Sequence, residues 1–177
     1  MKTFKTDIEG IRKRAQEKIG DGAVTGAYLA DRNEVVAVLN DVLATEIVCN
    51  LRYRNHYFMA NGIHAKSVAD EFLEHATEEQ QHADWVAERI TQLGGVPNFN
   101  PEGIETRSHA EYSESDRLEE MIKEDLVAER VAIQTYSDIV RWLGDADPTT
   151  RRLIEKILEV EEEHADDLAR LLANLPR

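Results

Sequence analysis

The sequence predicts an all-α protein in which four long helices form a bundle with one long crossover between the second and third helices. Apolar residues recur at helical spacing in four long segments. Only four prolines and nine glycines interrupt the 177 residues, whereas a β-sandwich would need turn signals about every ten residues. A chain of this length can bury a sizeable core as one domain.

Signals that start or end helices bound each of the four segments. Asn-Gly and Gly-Gly pairs follow the first two segments, and a single glycine follows the third. Ser67 is expected to cap the second helix, and Asp147 followed by Pro148 is typical of a helix start. The predicted limits of the four helices are 31–60, 67–93, 115–143 and 147–175.

The lengths of the connections predict how the helices are arranged. Short links join the first helix to the second and the third to the fourth, which predicts two antiparallel hairpins. The polar segment 96–114 contains two prolines and no sustained period, so it is expected to cross from one end of the bundle to the other. We therefore divide the chain into an N-terminal extension, 1–30, and a bundle, 31–177.

The N-terminal extension is predicted to contain a short helix over 6–19 and has a local basic bias. The basic residues are Lys2, Lys5, Arg12, Lys13, Arg14 and Lys18.

Composition excludes several classes of function. A net charge of −14 opposes general nucleic-acid binding and is compatible with attracting cations. No segment has the roughly 20 consecutive apolar residues of a membrane span, and the first residues do not resemble a signal peptide, so a cytoplasmic location is expected. The single cysteine, Cys49, excludes an internal disulfide and a cysteine-cluster metal site.

A duplicated pattern of charged residues occupies apolar helix faces. Each predicted helix places one glutamate on its apolar face near mid-length, and the second and fourth helices add a histidine three residues later. The glutamates are separated by 33 residues in the first hairpin and by 32 in the second, so packing the hairpins together would bring all six side chains to one place. These candidate ligands are Glu46, Glu79, His82, Glu129, Glu161 and His164.

Each of these residues also has a simpler structural interpretation. A single Glu-x-x-His on a charged helix usually lies on a solvated face, but two copies in matching phase favour a shared metal site. Tyr53 and Tyr136 lie on the same faces and are interpreted as core residues, with a redox or hydrogen-bonding role for Tyr53 as the alternative. Four histidines lack such neighbours and are interpreted as surface or packing residues: His56, His64, His75 and His109.

The chemistry of the six side chains predicts two metal ions. A buried, unpaired carboxylate costs many kcal/mol, whereas two divalent cations would neutralise four glutamates. Carboxylate and imidazole ligands without thiolate suit iron or manganese, and zinc can compete. A glutamate on two helices with Glu-x-x-His on the other two is the known ligand pattern of di-iron carboxylate bundles.

At these residues the sequence resembles the bacterioferritin branch of the ferritin-like superfamily, over about 31–172. The resemblance is densest at 45–48, 79–90 and 161–164, and it includes the segment 93–98. It implies that the six candidate residues are ferroxidase ligands and that Tyr53 is the tyrosine near the site. It also implies that Glu79 and Glu129 are the bridging carboxylates.

Three departures from bacterioferritins modify these expectations. Gln80 stands where the haem-ligating methionine of that branch lies, so haem is not expected. The sequence ends thirteen residues after His164, which leaves no room for the fifth helix of 24-subunit cages and favours the Dps-like mini-ferritins and a homo-dodecamer. Val131 occupies the place of a cysteine found in some of those proteins, so a thiol-containing site is not expected.

The expected activity is that of a ferroxidase, an oxidoreductase that oxidises ferrous iron with O2 or H2O2 at two iron ions per subunit. Iron storage and protection from oxidative stress in a hollow homo-oligomer would follow. Two alternatives stay open. One is a di-metal redox enzyme that retains its metals, such as a rubrerythrin-like peroxidase or a manganese catalase. The other is a DNA-protecting Dps-type protein, which is not favoured because acidic residues dilute the basic extension.

Overall fold

The computed structural model describes residues 4–62 and 65–175, and within these residues it contains helices and no strand. The all-α class and the four-helix bundle are confirmed. Lys2 and His64 of the predictions above lie outside the described residues. The helices are α1 (Ile8–Glu17), α2 (Arg32–Met59), α3 (Ala65–Gln92), α4 (Ile104–Arg107), α5 (Leu118–Leu143) and α6 (Pro148–Asn174).

The four long helices pair as two antiparallel hairpins. Helix α2 packs mainly on α3, and α5 packs mainly on α6, while smaller contacts of α2 with α5 and of α3 with α6 join the hairpins. Helices α2 and α3 have 28 residues each, a length of about 42 Å. No helix in the described parts of the chain is long and apolar enough to cross a membrane.

Two of the predicted helix starts are confirmed in detail. The Asp31 carboxylate accepts hydrogen bonds from the N–H groups of Asn33 and Glu34, at 2.9 and 3.2 Å, and so caps α2. The Asp147 carboxylate accepts from the N–H of Thr150 at 2.9 Å, with proline in the first turn of α6.

The predicted starts of α3 and α5 are corrected. Helix α3 begins at Ala65, so Ser67 lies inside the helix and does not cap it. Ala65 and Val68 are buried, and their packing favours a helix that begins before the predicted cap at Ser67. Helix α5 begins at Leu118 and not at 115. The crossover also contains the one-turn helix α4, which is too short to produce a period in the sequence.

Two apolar clusters fill the bundle, one towards each end. They leave the middle, where the four glutamates lie, to polar side chains. The first cluster includes Leu39, Val86, Ile139 and Ile157, one residue from each long helix. The second includes Tyr53, Phe72, Ile122 and Leu168, again one from each.

The extension packs little against the bundle. None of the residues of α1 is buried. The segment that follows does reach the bundle, because the hydroxyl of Tyr28 donates a hydrogen bond to Asp147 at 2.9 Å. The division of the chain into 1–30 and 31–177 stays a prediction.

A buried ion pair fastens the crossover to both hairpins. Arg52 of α2 donates from Nε to Asp125 of α5 at 2.8 Å and from Nη1 to the backbone carbonyl of Glu111 at 2.8 Å. The other oxygen of Asp125 lies 2.8 Å from Nδ1 of His56. These side chains are almost fully buried, so each depends on its partners for the hydrogen bonds that water would otherwise make.

Replacement of Asp125 should therefore destabilise the fold. We expect Asp125→Ala to lower the free energy of unfolding by about 3–5 kcal/mol, because it leaves Arg52 charged and unpaired in the interior. Asp138→Ala is the matched control on the same helix, since its pair with Arg141 is exposed and should be worth less than about 1 kcal/mol. Urea unfolding followed by circular dichroism measures both. Equal effects of the two substitutions would contradict this account.

Candidate metal centre

The six side chains singled out in the sequence converge in the middle of the bundle. They come from all four long helices and lie between the two apolar clusters. Each is 1% exposed: Glu46, Glu79, His82, Glu129, Glu161 and His164.

These side chains form two overlapping groups, each with four potential ligand atoms that lie within 4.8 Å of one another. The first group consists of Glu46, Glu79, His82 and Glu161. The second consists of Glu79, Glu129, Glu161 and His164. Two overlapping groups with mixed carboxylate and imidazole donors fit a di-metal site.

The overlap corrects the expected bridging pair. Glu79 and Glu161 belong to both groups, whereas Glu129 belongs to one. The pseudo-twofold axis between the hairpins relates Glu79 to Glu161 and Glu46 to Glu129. A bridging pair of Glu79 and Glu129 would break that symmetry, so the structure favours Glu79 and Glu161.

Both histidines turn Nδ1 towards the carboxylates. Nδ1 of His82 lies 3.2 Å from Glu46 Oε2 and 3.1 Å from Glu161 Oε1. Nδ1 of His164 lies 3.3 Å from Glu161 Oε2 and 3.4 Å from Glu79 Oε1. The same ring nitrogen of each histidine is therefore positioned to bind a cation held by the glutamates.

Glu78 contacts the cluster and was not predicted from the sequence. Its Oε2 lies 2.7 Å from Nε2 of His164, so it fixes the orientation of that ring and leaves Nδ1 for the centre. Glu78 comes from α3 and His164 from α6. The only signal in the sequence was its position directly before Glu79, in a helix that is acidic along much of its length.

Two tyrosines orient Glu46 and Glu129, the glutamates that each belong to only one of the two groups. The hydroxyl of Tyr53 donates to Glu129, and the hydroxyl of Tyr136 donates to Glu46. Each tyrosine lies seven residues after the glutamate of its own helix and contacts the glutamate of the other hairpin. Both are fully buried, as expected of core residues. The hydrogen-bonding role considered for Tyr53 is present, and Tyr136 shares it.

The electrostatics of the carboxyl groups follow the same symmetry. Burial raises the pKa of Glu46 to about 8, and the charge of Glu79 adds to the shift. Burial also raises the pKa of Glu129 well above its ordinary value, with the charges of Glu161 and Glu79 adding to it. The two carboxyls that accept hydrogen bonds from tyrosine are thus the two whose pKa values burial raises.

The pKa values of the shared carboxyls, Glu79 and Glu161, are lowered, whereas those of the two histidines are raised. Burial and neighbouring carboxylates would raise the pKa of Glu79 and of Glu161, but the close imidazoles of His164 and His82 bring both below their ordinary values. Burial alone would lower the pKa of His82, but hydrogen bonds to carboxylates raise it to about 12, and the pKa of His164 rises for the same reason. The environment of the cluster therefore favours protons on both imidazoles and on the carboxyls of Glu46 and Glu129.

The cluster also leaves polar atoms without partners. Five of its buried side-chain atoms have no hydrogen-bond partner within the described residues. Such atoms carry the full cost of desolvation unless a cation binds them. These atoms are Glu79 Oε1, Glu129 Oε2, both carboxylate oxygens of Glu161 and Nδ1 of His164.

The remaining histidines in the described residues pack against other groups. His56 is fully buried beside Asp125, and Nδ1 of the partly buried His109 lies 3.1 Å from Thr45 Oγ1. His75 is buried, and its ring stacks on that of His164 with 3.9 Å between centroids. For His56 and His109 the packing interpretation holds, and His75 is buried against the ring of His164.

The model of the ferritin-like domain family matches residues 36–177. The chain belongs to the ferritin-like family. Its relatives within that family include bacterioferritins and Dps-like proteins, as the resemblance predicted.

Three ferritin-like relatives illustrate this. A nutrient stress-induced DNA-binding protein of Nostoc sp. is 34% identical over 154 residues, 82% of each chain. The bacterioferritin of Desulfovibrio desulfuricans is 29% identical over 132 residues, 74% of this chain and 70% of that one. The structure of the bacterioferritin-related protein of Bacteroides fragilis, a dodecameric thioferritin, superposes with a TM-score of 0.79 at 27% identity over 94% of each chain.

The charge state of the cluster predicts that metal binding releases protons. Two divalent ions should displace about four protons per chain near neutral pH, two from histidines and two from carboxyls, because the ligands must give up their protons to bind. Affinity should fall as pH falls, since protons compete for the same atoms. Calorimetric titration with Zn2+ in buffers of different ionisation enthalpy counts the protons. Release of fewer than about two protons per chain would contradict the protonation pattern described here.

Proposed function

We propose that this protein is a mini-ferritin that oxidises ferrous iron with O2 or H2O2 at a di-iron site within each subunit. Iron storage and detoxification inside a hollow homo-oligomer would follow from that activity. The observation that carries the proposal is the pair of overlapping carboxylate–histidine groups in the centre of the bundle.

In this proposal the two ferrous ions are substrates, and the protein holds them side by side. Glu46 and His82 would hold one ion, and their symmetry mates Glu129 and His164 would hold the other. Glu79 and Glu161, which belong to both groups, would bridge the ions. All six residues would thus act directly on the reacting metals as ligands.

The electron count explains the need for two ions. Each ferrous ion gives up one electron, so two ions together reduce H2O2 with two protons to two molecules of water. With O2 as oxidant, two electrons and two protons give H2O2. Paired electron loss avoids one-electron reduction of peroxide, which produces radicals, and this supports a protective role.

The carboxylates also favour the oxidised ions. Oxidation raises the charge of the two ions from four to six, while the four glutamates supply hard anionic oxygen ligands in a site with little water. The apolar clusters on either side keep the local dielectric constant low, which strengthens these attractions. The bundle therefore supports oxidation of bound iron as well as binding.

A shell around a mineral cavity is the second part of the proposal. The Bacteroides fragilis relative is described as dodecameric, and it matches this chain over 94% of both lengths. We propose a homo-dodecamer on that basis, in the cytoplasm. A net charge of −14 per chain would attract ferrous ions to such a shell.

Glu129→Ala tests the activity without touching either bridging residue. Anaerobic protein stripped of metal is titrated with ferrous iron, and air or H2O2 is then added while ferric absorbance is followed. We expect saturation at two ions per wild-type chain and oxidation slowed at least about 100-fold in the variant, since even outer-shell changes cost 10–100-fold. Glu119→Ala removes an exposed carboxylate of the same helix and should leave the rate unchanged.

The same experiment separates the proposal from its rivals. Uptake far beyond two ions by a large particle, sized by light scattering, would support storage. Two ions retained in a small oligomer without further uptake would instead support a rubrerythrin-like peroxidase or a manganese catalase. An unchanged rate of iron oxidation in Glu129→Ala would contradict the proposal that this cluster is the ferroxidase site.

DNA protection is a second candidate function, supported by one observation. Helix α1 buries none of its residues, and it carries Arg12, Lys13 and Arg14. The Nostoc relative is named as a DNA-binding protein. We propose that, if DNA binds, this helix makes the phosphate contacts.

A gel-shift assay with duplex DNA tests this second function. The shift should weaken steeply as salt rises, because released counterions drive phosphate binding. Removal of residues 1–20 should abolish it. A shift that persists in the truncated protein would show that α1 is not the contact surface. Absence of any shift at low salt would show that the protein does not bind DNA.

A further inference from the structure

A second group of potential metal ligands lies outside the di-metal cluster. It consists of Glu71 and His75 of α3 and Asp167 of α6, and it places one ligand atom of each residue within 4.8 Å of the others. Glu71 and His75 are four residues apart, so they lie on the same face of α3. Asp167 reaches them from the neighbouring helix.

This group adjoins the di-metal cluster along the contact between α3 and α6. His75 precedes Glu79 by four residues, and Asp167 follows His164 by three, so the group lies about one helical turn away. The rings of His75 and His164 stack at 3.9 Å with 21° between their planes. The two sets of residues share no member.

His75 supplies an independent sign of a missing partner. The residue is only 2% exposed, and among the described residues its Nδ1 has no hydrogen-bond partner. Its Nε2 faces Glu71 but lies 3.6 Å from Oε1, too far for a hydrogen bond. Nε2 is the nitrogen that faces the carboxylates, so a cation bound there would give this buried imidazole a partner on that side of the ring, whereas Nδ1 would not contact the same ion.

The carboxylates of the group are open to solvent on one side. The side chains of Glu71 and Asp167 are each 30% exposed, in contrast to the closed di-metal cluster. Asp167 also pairs with Arg170 at 3.3 Å, but this pair is exposed and so holds Asp167 only weakly. An ion could therefore reach the group from water.

We propose that Glu71, His75 and Asp167 form a third cation site, for a divalent first-row transition metal ion. The ligand atoms of a tetrahedral ion stand about 3.4 Å apart at bond lengths of about 2.1 Å, close to the 3.6 Å that separates His75 Nε2 from Glu71 Oε1, and Asp167 would complete the group by moving towards them. Water would complete the coordination on the exposed side. The site should bind more weakly than the di-metal cluster, and it does not depend on ferroxidase activity.

Counting bound zinc tests the proposal with the intact protein. Full-length protein stripped of metal is dialysed to equilibrium against Zn2+ in excess Mg2+, which suppresses diffuse binding to the acidic surface. We expect three ions per wild-type chain at saturation. Glu71→Gln and Asp167→Asn change partly exposed residues, so both variants should fold, and each should bind two.

Neighbouring carboxylates provide matched controls. Glu74→Gln and Asp166→Asn remove the same charge from exposed residues close to the group, and both should still bind three ions. Glu129→Ala should lose ions from the di-metal cluster and keep the third, so failure of one site is distinguishable from failure of the other. A wild-type count of two would overturn the proposal, as would equal loss in all four carboxylate variants.

Discussion

Four carboxylates and two imidazoles meet in the interior of this bundle, and their charge must be balanced there by cations. The rest of the site follows from that constraint. Apolar clusters on either side hold the helices together where the polar middle cannot. Tyr53, Tyr136 and Glu78 each fix one of the six side chains by a hydrogen bond. Burial of these polar groups costs free energy, but the packing of the four helices fixes the six side chains in the geometry that two metal ions require.

The near-twofold symmetry of the hairpins explains how one chain builds a site for two ions. Each hairpin supplies a glutamate from its first helix and a glutamate and a histidine from its second. Glu79 and Glu161 belong to both groups of potential ligands because α3 and α6, the helices that carry them, face each other across the axis. Sequence resemblance alone pointed to Glu129 as a bridging residue, whereas in the structure Glu129 belongs to only one of the two groups of potential ligands.

The helices and the six convergent residues could be predicted because each depends on a pattern within a single helix. The apolar period, the helix start at Asp147-Pro148 and the repeated Glu-x-x-His are all local features. Contacts between helices were harder to predict. The contact of Glu78 with His164 and the proximity of His75 to Asp167 both depend on how α3 and α6 are rotated about their axes relative to each other. That rotation is set by packing along the whole length of the helices, which no short stretch of sequence encodes. The start of α3 escaped prediction for the same reason, since buried Ala65 and Val68 outweigh the capping signal of Ser67.

The most direct measurement is anomalous diffraction at the iron absorption edge from crystals grown without metal and soaked anaerobically in ferrous iron. The account predicts two strong peaks per chain. One should lie between Glu46 and His82 and the other between Glu129 and His164, with Glu79 and Glu161 in contact with both. Absence of both peaks from this cluster, or one peak bound by a single group, would contradict the claim that the six side chains form a di-iron centre.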